Sequence, residues 1–252
     1  MVFIVANWKM NKSQAQAVEY IHILNKFSDL KKHINVLISP PSIHLPVISS
    51  ISDFPLVAQN VSHLENGALT GEISAQMLSK YVKHVIVGHS ERRQFFLENN
   101  FFIKEKIQMC FKYKLSPIFC FGENKNARNK GNYLDFIKSQ IQEVLFDFDV
   151  AKISSLILAY EPIWAIGTGN TATALQIEEV HTYVRNLLIL KFGESIGFRI
   201  PILYGGSCNS DNAVEILSND HVDGLLVGGA SLDASNFINI IKIANEFSSN
   251  RF

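Results

Sequence analysis

The chain has 252 residues, 47% hydrophobic and 18% charged, with 23 basic and 23 acidic side chains. That is enough apolar material for one large core, and the formal net charge of +0 gives no electrostatic reason to expect nucleic acid or a membrane surface as a partner. Three cysteines without CxxC spacing support neither a disulfide framework nor a zinc site and fit a reducing cytoplasm. The apolar start at residues 2–6 is too short for a signal-peptide core, and no run approaches the roughly 20 apolar residues of a membrane helix, so a cytoplasmic protein is expected.

Residues 3–6 read as a first strand, followed by Asn7-Trp8-Lys9 and by Ser13, which can cap a helix carrying Ala17, Tyr20, Ile21, Leu24 and Phe27 on one face. Residues 36–39 form a second strand, closed by Pro40-Pro41, and residues 56–59 a third. A long loop over 60–74 follows, with Gly67 and Gly71, and a loop of this length binds something or docks onto a partner. Residues 84–87 make a fourth strand that ends in Gly88-His89-Ser90-Glu91-Arg92-Arg93. Ile103, Ile107, Cys110 and Phe111 then mark a helix face. Residues 118–120 are a fifth strand, followed by Gly122-Glu123, a polar loop, and a helix with Leu134, Ile137, Ile141, Val144 and Leu145 in register.

The sixth strand, residues 156–160, runs into Glu161, and Pro162 bars further regular pairing. A carboxylate at that point can take a proton from a carbon. Residues 165–169, AIGTG, have little side chain, so their amides can close over an anion, with Pro162 and Thr171-Ala172 as hinges. Gly167-Thr168-Gly169-Asn170-Thr171-Ala172 mimics the dinucleotide fingerprint GxGxxA, but residues 161–166 separate it from the strand, as that motif does not allow. A capping box, Thr173-x-x-Gln176, opens a helix striped by Ile177, Val180, Val184, Leu187 and Leu188. Residues 202–204 and 224–227 are the last strands, each ending in a glycine pair, Gly205-Gly206 and Gly228-Gly229. Phe237, Ile240, Ile241 and Ala244 complete the final helix face.

Eight βα alternations without a linker define an α/β protein with one parallel sheet, and eight is the number that closes into a (β/α)8 barrel. A single domain over residues 1–252 is expected, with an open doubly wound sheet as the alternative. The strand ends of a barrel converge on one mouth, bringing Asn7, Lys9, His89, Glu91, Glu161, Ser207, Gly228 and Gly229 together. Lys9 would hold a dianion and stabilise developing negative charge, His89 would shuttle protons, Asn7 would donate to an oxyanion, and the glycine-flanked amides would form an anion cup. Ser90 adjoins His89 rather than occupying a GxSxG elbow, and Cys120 and Cys208 read as packing residues.

The segments NWKMN at 7–11, GHSERR at 88–93, AYEPIWAIGTG at 159–169, YGGS at 204–207 and LLVGGASL at 225–232, with AQN at 58–60 and GALTGE at 67–72, closely resemble the triosephosphate isomerase family. They stand in the family's order over almost the whole chain. The resemblance implies a homodimeric TIM barrel without metal or cofactor. Its reaction would interconvert dihydroxyacetone phosphate and D-glyceraldehyde 3-phosphate through a cis-enediolate, in glycolysis and gluconeogenesis. It implies that Glu161 is the base, His89 the neutral electrophile, and Lys9 and Asn7 the oxyanion stabilisers. The phosphate would lie on the amides of Gly167, Ser207, Gly228 and Gly229. Glu91, Ser90 and Tyr204 would be supporting groups, with Tyr204 and Ser207 bonding the backbone of a closing lid. Thr70 would reach the other subunit's site, and Glu72 and Arg92 would pair across the dimer interface. Asn170, Leu97 and Cys208 depart from the family's commonest residues. A phosphate-binding barrel lyase or aldolase, and a non-enzymatic sugar-phosphate or surface-interaction protein, are the alternatives.

Overall fold

A computed structural model describes residues 2–166 and 171–251. Eight parallel strands run β1 Val2–Asn7, β2 Ile34–Ser39, β3 Val57–Ala58, β4 His84–Val87, β5 Ser116–Phe121, β6 Ile157–Tyr160, β7 Ile202–Tyr204 and β8 Gly224–Val227. Their spatial order is β2-β1-β8-β7-β6-β5-β4-β3. The remaining seam is joined where Ile38 bridges Leu56 in parallel and Ile38 N–H donates to Pro55 O at 3.0 Å, so the sheet is a nearly closed (β/α)8 barrel.

Strand side chains alternate between two apolar layers. Val5, Leu37, Val57, Ile86, Ile118, Cys120, Ile157, Ala159, Leu203 and Leu226 fill the barrel interior, and their strand neighbours pack outward under the helices. Burial on both faces explains why these strands read as continuous apolar runs. Pro117 sits inside β5 without breaking it, because it precedes the first β5–β6 pair, Ile118 with Ile157. Ser116 N–H already donates to Lys83 O on the other side, so no ladder donor is lost there.

Ser13 caps the helix Gln14–Asn25 as read, with Gln16 completing a capping box that the sequence reading did not name, and the Thr173–Gln176 box forms as read at the start of Ala174–Phe192. Phe27 falls beyond the first of these helices. One-turn helices at Leu45–Ile48, Ala75–Leu78 and Ala213–Leu217 occupy the stations after β2, β3 and β7, each too short to show a periodic stripe. The expected strands at 3–6 and 118–120 extend to 2–7 and 116–121, while that at 56–59 pairs along its ladder only at Val57–Ala58. Among the described residues, no helix is long and apolar enough to cross a membrane.

Candidate active site

A cavity of about 380 Å³ opens at the C-terminal ends of the strands, lined by Asn7, Lys9, His89, Glu161, Ser207, Gly228 and Gly229 together with Asn212 and Cys208. Seven expected mouth residues from five strand exits therefore meet at one hollow. Gly167 lies outside the described residues.

Glu161 follows β6 and is 2% exposed. Its backbone is pinned by neighbouring strands, with Glu161 N–H donating to Phe121 O at 2.8 Å and Gly205 N–H to Tyr160 O at 2.7 Å. Gly122 permits this approach, since a Cβ there would stand 1.8 Å from Glu161 O. The carboxylate accepts from Ser90 N–H at 2.8 Å and Ser90 Oγ–H at 3.2 Å, and His89 Nε2 lies 3.0 Å from Oε1. Glu91 N–H donates to His89 Nδ1 at 3.2 Å, which occupies that lone pair and leaves the ring proton on Nε2, aimed at the carboxylate.

Lys9 Nζ pairs with Glu91 Oε1 at 2.7 Å, and its backbone sits in the left-handed region at φ 52°. Asn7 Oδ1 accepts from Lys9 N–H at 3.0 Å, and Gln59 Nε2 donates to Lys9 O at 2.9 Å, so the strained lysine is held from two directions. Asn7 lines the cavity, and its amide nitrogen takes no part in that bond.

Below the carboxylate, Cys120 is fully buried in the barrel, and burial first, then the charge of Glu161, pushes its thiol well above its ordinary value. A protonated, enclosed thiol packs rather than reacts. Arg93 bridges two strand exits through Nε to Gly88 O at 3.0 Å and Nη2 to Cys120 O at 3.3 Å. Among the described residues no group of three or more His, Cys, Asp or Glu is placed to hold a metal ion.

Tyr204 is buried and passes directly over Gly206, where a Cβ would come within 2.2 Å of its hydroxyl. Burial pushes that phenol up to about 12, the nearby Ala172 backbone beside the second hinge opposing the shift, and among the described residues the hydroxyl has no hydrogen-bond partner. Ser207 Oγ–H donates to Ala165 O at 2.7 Å beside the first hinge. Of the two expected lid contacts, that of Ser207 is present on the flank of the stretch 166–171, and that of Tyr204 is not formed among the described residues.

A buried cluster that the sequence reading did not assign stands under the first hinge. Glu123 is fully buried, and its Oε1 accepts from Trp164 Nε1 at 2.7 Å and from the Tyr160 hydroxyl at 3.1 Å. Arg128 approaches it to 3.6 Å and reaches Glu179, on the helix after the second hinge, at 3.7 Å. Burial raises the Glu123 carboxyl above its ordinary value despite these partners. The only sequence signal for it was its place just after a strand end.

The groups expected at a subunit boundary lie beside the mouth. Glu72 and Arg92 line an adjoining hollow of about 760 Å³ with Met10, Glu91, Phe95 and Phe96, and Thr70 is exposed on the preceding loop. Within this chain Arg92 pairs with Glu98 at 2.5 Å and stacks over Phe96.

A parallel (β/α)8 barrel whose mouth gathers a buried carboxylate, an imidazole, an ammonium and glycine-flanked amides belongs to the class of barrel enzymes acting on small anionic molecules. The family model of triosephosphate isomerase matches residues 2–244. The chain is 41% identical over 244 residues to the triosephosphate isomerase of Porphyromonas gingivalis strain W83, covering 95% of this chain and 97% of that protein. It is 40% identical over 242 residues to that of Flavobacterium johnsoniae, at 94% and 97% coverage, and 40% identical over 246 residues to that of Fusobacterium nucleatum, at 96% and 98%. The chain belongs to the triosephosphate isomerase family.

Proposed function

We propose that this protein interconverts dihydroxyacetone phosphate and D-glyceraldehyde 3-phosphate, in glycolysis and gluconeogenesis, with residues 1–252 acting as one domain. The observation that carries this reading is the convergence of Glu161, His89 and Lys9 on a single cavity whose far wall is Gly228-Gly229 and Ser207.

The phosphate sits on the amides of Ser207, Gly228 and Gly229, joined by Gly167, and the carbon chain extends toward Glu161. Glu161 leaves Ser90 and takes a proton from the carbon beside the carbonyl. The C–H electrons form the enediolate double bond, and charge moves onto the carbonyl oxygen. His89 Nε2–H and the Asn7 amide donate to that oxygen while Lys9 stabilises the negative charge. His89 then moves a proton between the two oxygens, and Glu161 returns its proton to the neighbouring carbon. No atom is gained or lost, and no cofactor or metal takes part. Ser207 and Tyr204 hold the lid down, excluding water so that the enediolate keeps its phosphate.

A coupled assay of triose phosphate interconversion tests this reading. Glu161→Gln is expected to lower kcat by about 10²- to 10⁴-fold, and full turnover by that variant would overturn it. Borohydride trapping with substrate should leave no adduct on Lys9, whereas an adduct would favour a Schiff-base aldolase.

Two copies form the working unit, in the cytoplasm. The exposed Met10, Phe95 and Phe96 around the adjoining hollow supply apolar surface for the partner's loop carrying Thr70 and Glu72. Sedimentation should give a dimer, and a fully active monomer would defeat this part of the proposal.

A further inference from the structure

Lys12 and Tyr20 have no part in the proton transfers, yet both bond to the turn that carries Gly228 and Gly229. This turn, Gly229–Ser231, is closed by Ser231 N–H to Gly228 O at 2.8 Å and Leu232 N–H to Gly229 O at 3.1 Å. Behind it, the Tyr20 hydroxyl donates to Ser231 O at 2.8 Å and Lys12 Nζ donates to Leu232 O at 2.6 Å. The two contacts span more than 200 positions of sequence and fix consecutive carbonyls of one turn.

Lys12 is itself held with care. Its ammonium lies 4.6 Å from the Tyr20 ring centroid and 5.2 Å from that of Trp8, a cation resting against two rings that themselves pack edge to face at 4.8 Å. Its backbone is in the left-handed region at φ 77°, and the buried His44 donates Nε2–H to Lys12 O at 2.9 Å. A non-glycine residue in that region costs stability and persists only where its surroundings hold it. Burial lowers the ammonium below its ordinary value, and Asp233 is the nearby charge that opposes this. Leu232 and Gly229 line the cavity, so the Lys12 charge stands one carbonyl behind the wall on which the substrate's phosphate would lie.

We propose that Lys12, resting against the Trp8–Tyr20 ring pair and bonded to the turn at Leu232, is a positioning and specificity residue for the phosphate group. It fixes the Gly228 and Gly229 amides from behind and places a second positive charge, after Lys9, near a dianion. The inference rests on the isomerase reading above. Lys12 touches no reacting atom, so it acts on recognition of the phosphate and leaves proton transfer to Glu161 and His89.

The test measures Lys12→Met, Lys12→Arg and Tyr20→Phe in the full-length protein. Lys12→Met is expected to raise KM for the triose phosphate about fivefold with a smaller change in kcat. Calorimetric binding of inorganic phosphate should weaken by the same factor, while kcat/KM for unphosphorylated glyceraldehyde stays at the wild-type value. Lys12→Arg should restore most of the affinity, and Tyr20→Phe should give a smaller rise in the same two quantities. The proposal is overturned if Lys12→Met binds inorganic phosphate as the wild type does, or if glyceraldehyde turnover falls in parallel with that of the triose phosphate. Phosphate binding is measured without turnover, so a wild type that binds phosphate but does not isomerise would refute the isomerase reading and leave this inference standing.

Discussion

Ser90 holds both oxygens of the Glu161 carboxylate, its amide N–H bonding Oε2 at 2.8 Å and its hydroxyl bonding Oε1 at 3.2 Å. A base tethered this way must release Ser90 to reach a substrate carbon. Ser90→Ala removes the longer tether, at 3.2 Å, and keeps the amide, so kcat/KM should fall by no more than about tenfold, the scale of one ordinary hydrogen bond of about 1 kcal/mol. The coupled assay should therefore rank Glu161→Gln as far more damaging than Ser90→Ala. Equal losses would mean that the serine does more than hold the acid.

Gly122 and Gly229 are both small residues at the mouth, but they should differ sharply on substitution. A Cβ at Gly122 would stand 1.8 Å from Glu161 O, whereas one at Gly229 meets nothing within 4 Å. Gly122→Ala should lower the thermal midpoint by several degrees and cost most of the activity, because the strand end carrying the base must shift. Gly229→Ala should unfold close to the wild-type temperature, and circular dichroism melts would check both.

Acid should weaken the fold through His181. This side chain is fully buried against Tyr160, its Nδ1–H donating to His221 O at 3.0 Å, while Nε2 has no partner among the described residues. Burial lowers it to about 4 from an ordinary 6.5, so below pH 6.5 the unfolded chain takes up a proton that the folded chain refuses. Stability is complete above about pH 7 and declines as pH falls toward 4, by up to about 3 kcal/mol from this group. Urea midpoints measured between pH 7.5 and 5 should show the decline, and His181→Gln should make it shallower while leaving the share of His84, which burial also lowers to about 4.

Arg185 is 2% exposed inside the Ala174–Phe192 helix, where it reaches Gly197 O, Ile200 O at 2.7 Å and Asp223 Oδ2 at 2.7 Å. Asp223 Oδ2 also accepts from Ile202 N–H at 2.9 Å, so the pair joins the start of β7 to the segment before β8. Arg185→Ala leaves those carbonyls without their side-chain donor and the half-exposed aspartate with Ile202 N–H alone, and should cost about 2–3 kcal/mol in denaturant unfolding. Activity per folded molecule should persist, since the pair lies at the entry of these strands, opposite the mouth.

The native thiols should be inert. Burial pushes Cys110 and Cys208 up to about 12, and Cys120 is raised by burial and by Glu161. Alkylation at pH 8 should leave the folded protein unmodified by mass spectrometry and label all three sites after denaturation. Fast labelling of Cys208, which lines the cavity, would contradict the packing assignment.

The sequence by itself determined the alternation of apolar runs and helical stripes, the Ser13 cap, the Thr173–Gln176 capping box and the glycine pairs at strand exits, because these depend on side-chain period and local backbone freedom. From them followed eight strands, a barrel, and the convergence of Asn7, Lys9, His89 and Glu161. One-turn helices were invisible to that reading, since a single turn has no period. Only the tertiary structure decided what each group touches. Arg185 has no role legible in the sequence, and the chain packs it against two carbonyls and an aspartate. Glu123 became the acceptor for Trp164 and Tyr160, and Lys12 came to rest behind the Gly228-Gly229 turn. Such contacts join residues tens to hundreds of positions apart, and their ångström-scale distances arise from how the helices seat on the barrel.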